Sequence, residues 1–216
     1  MNLAEEKRLA ADAAAELIEP HSRVGLGTGT TVAYLLEAIA RRGVIARYVA
    51  TSPSTEVAAR TLGIVVESFD VLDELDLAID GADQIAPDGW LVKGRGGAHL
   101  REKVVAAAAR RFVVIADSSK PVASLHAPVP LELHEFGLRA TLRQLGDVTV
   151  RDGDRSPDGG VLGDYHGDVS RPRELAERLA SIPGVSAHGL FAPELVSEII
   201  VATGKTVTRK TLGGPR

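Results

Sequence analysis

Cysteine is absent from the 216-residue chain, so disulfide frameworks, thiolate metal sites and thiol nucleophiles are all excluded. Histidine is sparse: the six residues are scattered and none stands in an HxxxH pair, which leaves a helix-borne zinc site without ligands. No apolar run approaches the length of a membrane span. The opening Met1-Asn2-Leu3-Ala4-Glu5-Glu6 has no basic and then greasy signal region, so a cytoplasmic chain with no membrane partner is expected. The formal net charge of -4 offers no broad attraction for nucleic acid, and an anionic ligand has to be met by local charge. Lysine is scarce, yet Lys7, Lys93 and Lys120 all fall beside candidate site segments. What is present, 44% hydrophobic and 25% charged residues, is the composition of an ordinary globular protein. The length suits one large α/β domain, or a main domain with a smaller one attached.

From Leu3 to Glu19 apolar positions recur at helical spacing, and Pro20 stops the run. A short buried strand at Arg23-Val24-Gly25-Leu26 then enters the loop Gly27-Thr28-Gly29-Thr30-Thr31, followed by a helix that ends near Gly43. Ile45 to Thr51 reads as a strand, Ser54 to Leu62 as a helix, and Ile64-Val65-Val66 as a third strand. Leu75, Leu77 and Ile79 alternate with polar or small residues, so a fourth strand delivers Asp80 at its carboxyl end. A helix begins in the glycine loop before Leu100, and Phe112 to Ala116 is a further strand leading to Asp117-Ser118-Ser119-Lys120. Strands and helices alternating at these lengths predict an α/β fold: a Rossmann-like, mostly parallel sheet with helices on both faces. Ligands of such sheets lie outside the carboxyl ends of the strands, where the loops at 27–31, 51–55, 80–83 and 117–120 should converge. Beyond Pro121 the order strand, helix, strand, strand, helix, strand predicts a small ferredoxin-like α+β domain at about residues 127–192. The larger domain then comprises 1–126 and 193–216, with Leu195 to Ala202 returning to its sheet.

The polar residues concentrate in one stretch: Asp80-Gly81-Ala82-Asp83, then Lys93-Gly94-Arg95-Gly96-Gly97, then Glu102. Two aspartates at i, i+3 can be solvated, can bind a divalent metal, or can handle protons on a sugar hydroxyl. Lys93 opens a loop whose glycines let backbone N–H groups approach a ligand, and it can polarise a carbonyl or hold an enediolate oxygen. Glu102 sits in the first turns of a helix, where it can serve as a general base or be an ordinary surface glutamate. Thr28, Gly29, Thr30 and Thr31 enter a helix N-terminus, which favours a phosphate but also fits a plain turn with a threonine cap. The Gly25 to Gly29 segment lacks the GxGxxG spacing of a dinucleotide site. Thr51-Ser52-Pro53-Ser54-Thr55 reads as a simple helix cap.

These segments, with Arg101-Glu102-Lys103, Ala116-Asp117-Ser118-Ser119-Lys120 and Gly189-Leu190-Phe191, follow one another along nearly the whole chain as they do in ribose-5-phosphate isomerases of the A type. The sequence resembles that family. The resemblance implies a Rossmann-like domain with a ferredoxin-like one, and interconversion of ribose 5-phosphate and ribulose 5-phosphate through an enediol, without metal or cofactor. It implies Glu102 as the base moving a proton between C1 and C2, Asp80 in ring opening and Asp83 on the sugar hydroxyls. It further implies Lys93 with the amides of Gly94, Arg95, Gly96 and Gly97 on the oxyanion, and Lys7, Thr30, Thr31 and Lys120 on the phosphate. A homodimer or homotetramer is implied as well. Thr30 replaces the family's serine and keeps its hydroxyl. Two departures are larger: Gln84 stands where the family usually has glutamate, and Arg95 where it usually has glycine. They leave open an isomerase of another aldose phosphate, or a sugar-phosphate sensor without catalysis.

Overall fold

The computed structural model describes residues 2–214. The chain runs through α1 (Leu3–Ala15), β1 (Arg23–Leu26), α2 (Thr30–Arg42), β2 (Arg47–Ala50), α3 (Pro53–Thr61) and β3 (Val66–Glu67). It continues with β4 (Leu77–Asp80), the short strands β5 (Gln84–Ile85) and β6 (Leu91–Val92), α4 (His99–Ala107) and β7 (Phe112–Asp117). Then come β8 (Val129–Leu133), α5 (Leu138–Leu145), β9 (Val148–Arg155), β10 (Val161–Tyr165), α6 (Pro172–Ser181) and β11 (Val185–His188). The last strands are β12 (Leu190–Phe191), β13 (Glu198–Thr203) and β14 (Thr206–Thr211). Two compact units result. The first holds the chain up to Ala82, Arg101–Lys120 and the chain from Pro193; the second holds Asp83–Leu100 and Pro121–Ala192.

The first unit is built on a seven-stranded sheet in the order β14-β13-β7-β4-β1-β2-β3. Every pairing in it is parallel except the terminal β13–β14 hairpin. The fully buried pattern of β4 and β7 is what a parallel strand covered on both faces requires. Its core joins Ala10, Ala11, Ala14 and Ala15 of α1 to Leu26, Ile79, Ile115 and Ile200 of the sheet. Alanine at those α1 positions lets the helix lie close to β7 and β13. The expected return of residues 195–202 to this sheet is β13, which pairs with β7 from Glu198↔Val113 to Ala202↔Asp117.

The second unit contains a four-stranded sheet, β11-β8-β10-β9, antiparallel throughout, with α5 and α6 in the chain order of a ferredoxin-like unit. It also contains a three-stranded sheet, β12-β6-β5. This places residues 83–100 and 121–126 with the small unit, whereas a sequence boundary at 127 assigns them to the large one. The physical reason is hydrogen bonding: β6 pairs with β12 at Leu190↔Val92, and the Val122 N–H donates to the Ile85 carbonyl. The last strand of the order expected over 127–192 is split at Gly189 between two sheets, as β11 and β12. A Cβ there would collide with the Lys93 carbonyl oxygen and with Pro130, so only glycine lets the chain cross from β11 to β12 against the Lys93 backbone.

Candidate active site

Within the first unit the loops at the carboxyl ends of β1, β2 and β4 meet through hydroxyls and a carboxylate. Thr28 Oγ1 lies 2.9 Å from Thr51 Oγ1 and donates to Ser52 Oγ at 2.8 Å. Thr55 Oγ1 donates to the Gly27 carbonyl at 2.9 Å. Ser52 also caps α3 by accepting from the Thr55 amide, with Pro53 in the first helical turn, so the expected cap is present and doubles as support for Thr28. Asp80 is 3% exposed, and its Oδ1 accepts from the Thr28 and Gly81 amides at 3.0 and 2.7 Å. A Cβ at Gly27 would overlap the Asp80 carboxyl group, so glycine makes the room in which this carboxylate is held.

The helix α2 starts at Thr30 with Gly29 as its N-cap, at φ 120°, and no side chain caps it. The amides of its first turn therefore point to an anion site of the kind that helix N-termini provide. Lys7 of α1 donates to Thr30 Oγ1 at 2.9 Å, and its ammonium stands 3.9 Å from Asp117 Oδ2. Asp117 is wholly buried at the end of β7, and its Oδ1 accepts from the Ser119 amide and hydroxyl, which shapes the turn into Lys120. Glu102 lies in the first turn of α4 and is 4% exposed, so it is not the surface glutamate that spacing alone allows. It stands one turn before Val105, whose side chain packs over Gly25 of β1. Burial pushes the ammonium of the neighbouring Lys103 down to about 7.

Within the second unit, the segment 83–97 forms a compact loop cage. The Asp83 amide donates to the Val92 carbonyl at 2.8 Å, and Asp83 Oδ2 accepts from the Arg95 amide at 3.0 Å. Lys93 is 3% exposed, its amide donates to the Gly189 carbonyl at 2.8 Å, and its ammonium lies 5.4 Å from the centroid of Phe191. Gly94 has φ 108°, and a Cβ there would meet His99 Nδ1 at 2.6 Å; the position needs glycine on both counts. Arg151 fastens the loop: its Nη1 donates to the Gly94 and Arg95 carbonyls at 3.3 and 3.0 Å, while Nε and Nη2 hold Asp164 bidentately. That hydrogen bonding keeps the Asp164 carboxyl below its ordinary range.

The two departures from the family pattern now have structural roles. The Arg95 side chain is 83% exposed, and the residue serves the loop through its main chain, with its guanidinium Nε 3.9 Å from Asp83 Oδ1. Gln84 Oε1 accepts from the His126 amide at 2.9 Å and its Nε2 donates to the His126 carbonyl at 2.8 Å. A carboxylate can make only the first of these bonds.

Of the residues singled out in the sequence, the structure brings Thr28 to Asp80 and Lys7 to Thr30 in the first unit, and Asp83 to the 93–97 loop in the second. Sequence reasoning missed Asp117, Arg151 and Phe191 as supports. Phe191 was visible only within a matched tripeptide, and nothing in the local pattern around Arg151 connects it to a loop 57 residues away. Among the described residues no cluster of three or more His, Asp or Glu could hold a metal ion. Nor is any helix among them long and apolar enough to cross a membrane.

Residues 47–206 match the family model described as ribose 5-phosphate isomerase A (phosphoriboisomerase A). The chain is 40% identical to a protein named ribose-5-phosphate isomerase A from Caulobacter sp. (strain K31), over 97% of this chain and 99% of that one. Its fold is similar to the crystal structure of ribose 5-phosphate isomerase A from Neisseria gonorrhoeae, with a TM-score of 0.93 and 32% identity over 97% of each chain. It is also similar to a D-ribose-5-phosphate isomerase solved in complex with phospho-erythronic acid, with a TM-score of 0.92 and 32% identity over 98% of this chain and 100% of that one.

Proposed function

The chain belongs to the ribose 5-phosphate isomerase A family, and from that premise we propose how its residues divide the interconversion of ribose 5-phosphate and ribulose 5-phosphate. Aldose–ketose isomerisation removes the C2 proton of the open-chain aldose and returns it to C1, while a hydroxyl proton passes from O2 to O1. Glu102 carries the carbon-bound proton. Its burial supports this, because a carboxylate taken out of water is a stronger base than one at the surface. Asp80 assists ring opening, and Asp83 binds the sugar hydroxyls and supports the O–H proton transfer. Lys93 with the amides of Gly94 and Gly96 stabilises the oxyanion of the enediolate, while the Arg95 and Gly97 amides, which donate to Asp83 and to the Gly94 carbonyl, hold the loop in shape. Lys7, Thr28, Gly29, Thr30, Thr31 and Lys120 hold the phosphate, supported by the uncapped N-terminus of α2 and by the Lys7–Thr30 bond. No metal or cofactor is assigned a role.

The observation that carries the reading is the family match along nearly the whole chain, which includes the segments bearing all four catalytic candidates. The alternative of a sensor without catalysis rests on Gln84 and Arg95; Gln84 is engaged by the His126 backbone, and the Arg95 side chain is exposed, which supports the isomerase reading over the sensor. The enzyme works in the cytoplasm, in the non-oxidative pentose phosphate pathway, as a homodimer or homotetramer. A coupled assay on ribose 5-phosphate with added chelator tests substrate and metal independence together. Turnover that the chelator leaves intact is expected, and product absent after hours of incubation would refute the function.

A further inference from the structure

Glu6 is a buried carboxylate on α1, 5% exposed, that the mechanism above does not use. Its Oε2 accepts from the Ser118 amide at 3.0 Å and from the Ser118 hydroxyl at 2.6 Å, and its Oε1 accepts from the Gly204 amide at 2.7 Å. One side chain thus fastens α1 to the turn after β7 and to the turn of the β13–β14 hairpin. The residue next to Glu6 in sequence is Lys7, and the residue two beyond Ser118 is Lys120. Both lysine-bearing segments are therefore tied to a single carboxylate. The Ser118 hydroxyl, followed by the Gly204 and Ser118 amides, holds the Glu6 carboxyl below its ordinary value, as expected of an anion fully engaged by donors. Its charge is satisfied on the side of these turns, which lets an acidic residue stand beside an anion site.

We infer that Glu6 is a positioning residue for phosphate recognition, setting the first turn of α1 and the 117–120 turn so that Lys7 and Lys120 are presented together. The inference rests on the assignment of those two lysines to the phosphate. Glutamine at position 6 cannot replace it, because the amide has one acceptor oxygen and would face the Gly204 amide or the Ser118 donors with a donor of its own. Ser118→Ala removes only the hydroxyl bond and leaves both backbone bonds, so it should fold even if Glu6→Gln does not.

The test combines steady-state kinetics with calorimetric titration of inorganic phosphate into the wild-type chain, Glu6→Gln and Ser118→Ala. In Glu6→Gln we expect KM for ribose 5-phosphate to rise about tenfold with kcat within about twofold, as loss of uniform binding requires. The phosphate Kd should weaken by the same factor of about ten. Ser118→Ala should move both constants the same way by about threefold, one hydrogen bond being removed of three. A fall in kcat at unchanged KM, or unchanged constants in both variants, overturns the inference, since a merely structural role lowers the active fraction without selecting phosphate. Absence of turnover in the wild-type chain would instead refute the isomerase assignment. Phosphate binding would still decide the role of Glu6, with equal Kd across the three proteins counting against it.

Discussion

At the scale of single residues, the structure makes several side chains answerable for one distance each. Gly27 exists so that the Asp80 carboxylate can lie against the β1 loop. Gly27→Ala should displace that carboxylate, lowering kcat by about tenfold or more and destabilising the fold by about 1–3 kcal/mol, as forced overpacking does. Kinetics and urea denaturation read the two effects separately. Arg151 reaches the carbonyls of Gly94 and Arg95 while Asp164 holds it in place. Arg151→Met should therefore reduce kcat about tenfold, a loss of about 1.4 kcal/mol of transition-state stabilisation, with KM little changed. Gln84→Met should do the reverse. It removes two hydrogen bonds to the exposed His126 at a cost of about 1 kcal/mol of stability, and leaves kcat within about twofold of the parent.

At the scale of elements, Arg23 at the start of β1 binds Asp76 just before β4 through its amide, Nε and Nη2. The Arg23 side-chain bond pushes the Asp76 carboxyl down from 3.8 to about 2. Glu67 and Glu74 are lowered from 4.5 by Arg47 and Arg110. A depressed carboxyl contributes stability that is present above its ordinary value and is lost as pH falls through its folded value. The urea midpoint should accordingly fall between pH 4.5 and about 2, and Asp76→Asn should flatten that slope. Several elements were legible in the sequence: β4 by the alternation of Leu75, Leu77 and Ile79, β7 by its apolar run, α2 by its stripe, and β13 by having no other place to bury itself. The apolar pair Leu91-Val92 reads as a short strand and is β6, whereas the two-residue strands β5 and β12 had no such signal, because two residues carry no periodicity. Nor was β14, whose Thr206–Thr211 run is almost wholly exposed and shows no apolar face. Of the site, strand-end placement gave Asp80 and the 27–31 loop. The burial of Glu102 and the strut from Arg151 depend on contacts far apart in sequence and had no local signature.

At the scale of the whole molecule, membership of the isomerase family makes one chemical demand that every smaller feature has to serve: a proton must leave one carbon and reach its neighbour. A homodimer or homotetramer predicts a sedimentation mass twice or four times that of the single chain, and a single-chain mass would contradict that assembly. The central claim is tested most directly by following ribose 5-phosphate in deuterated water by proton NMR, with the parent chain and with Glu102→Gln. The account predicts that the parent forms ribulose 5-phosphate with solvent deuterium entering at C1. In Glu102→Gln, turnover and carbon-bound exchange should both fall by a factor of about 1,000 or more, as removal of a general base requires. Exchange and turnover near the parent level in Glu102→Gln would contradict it.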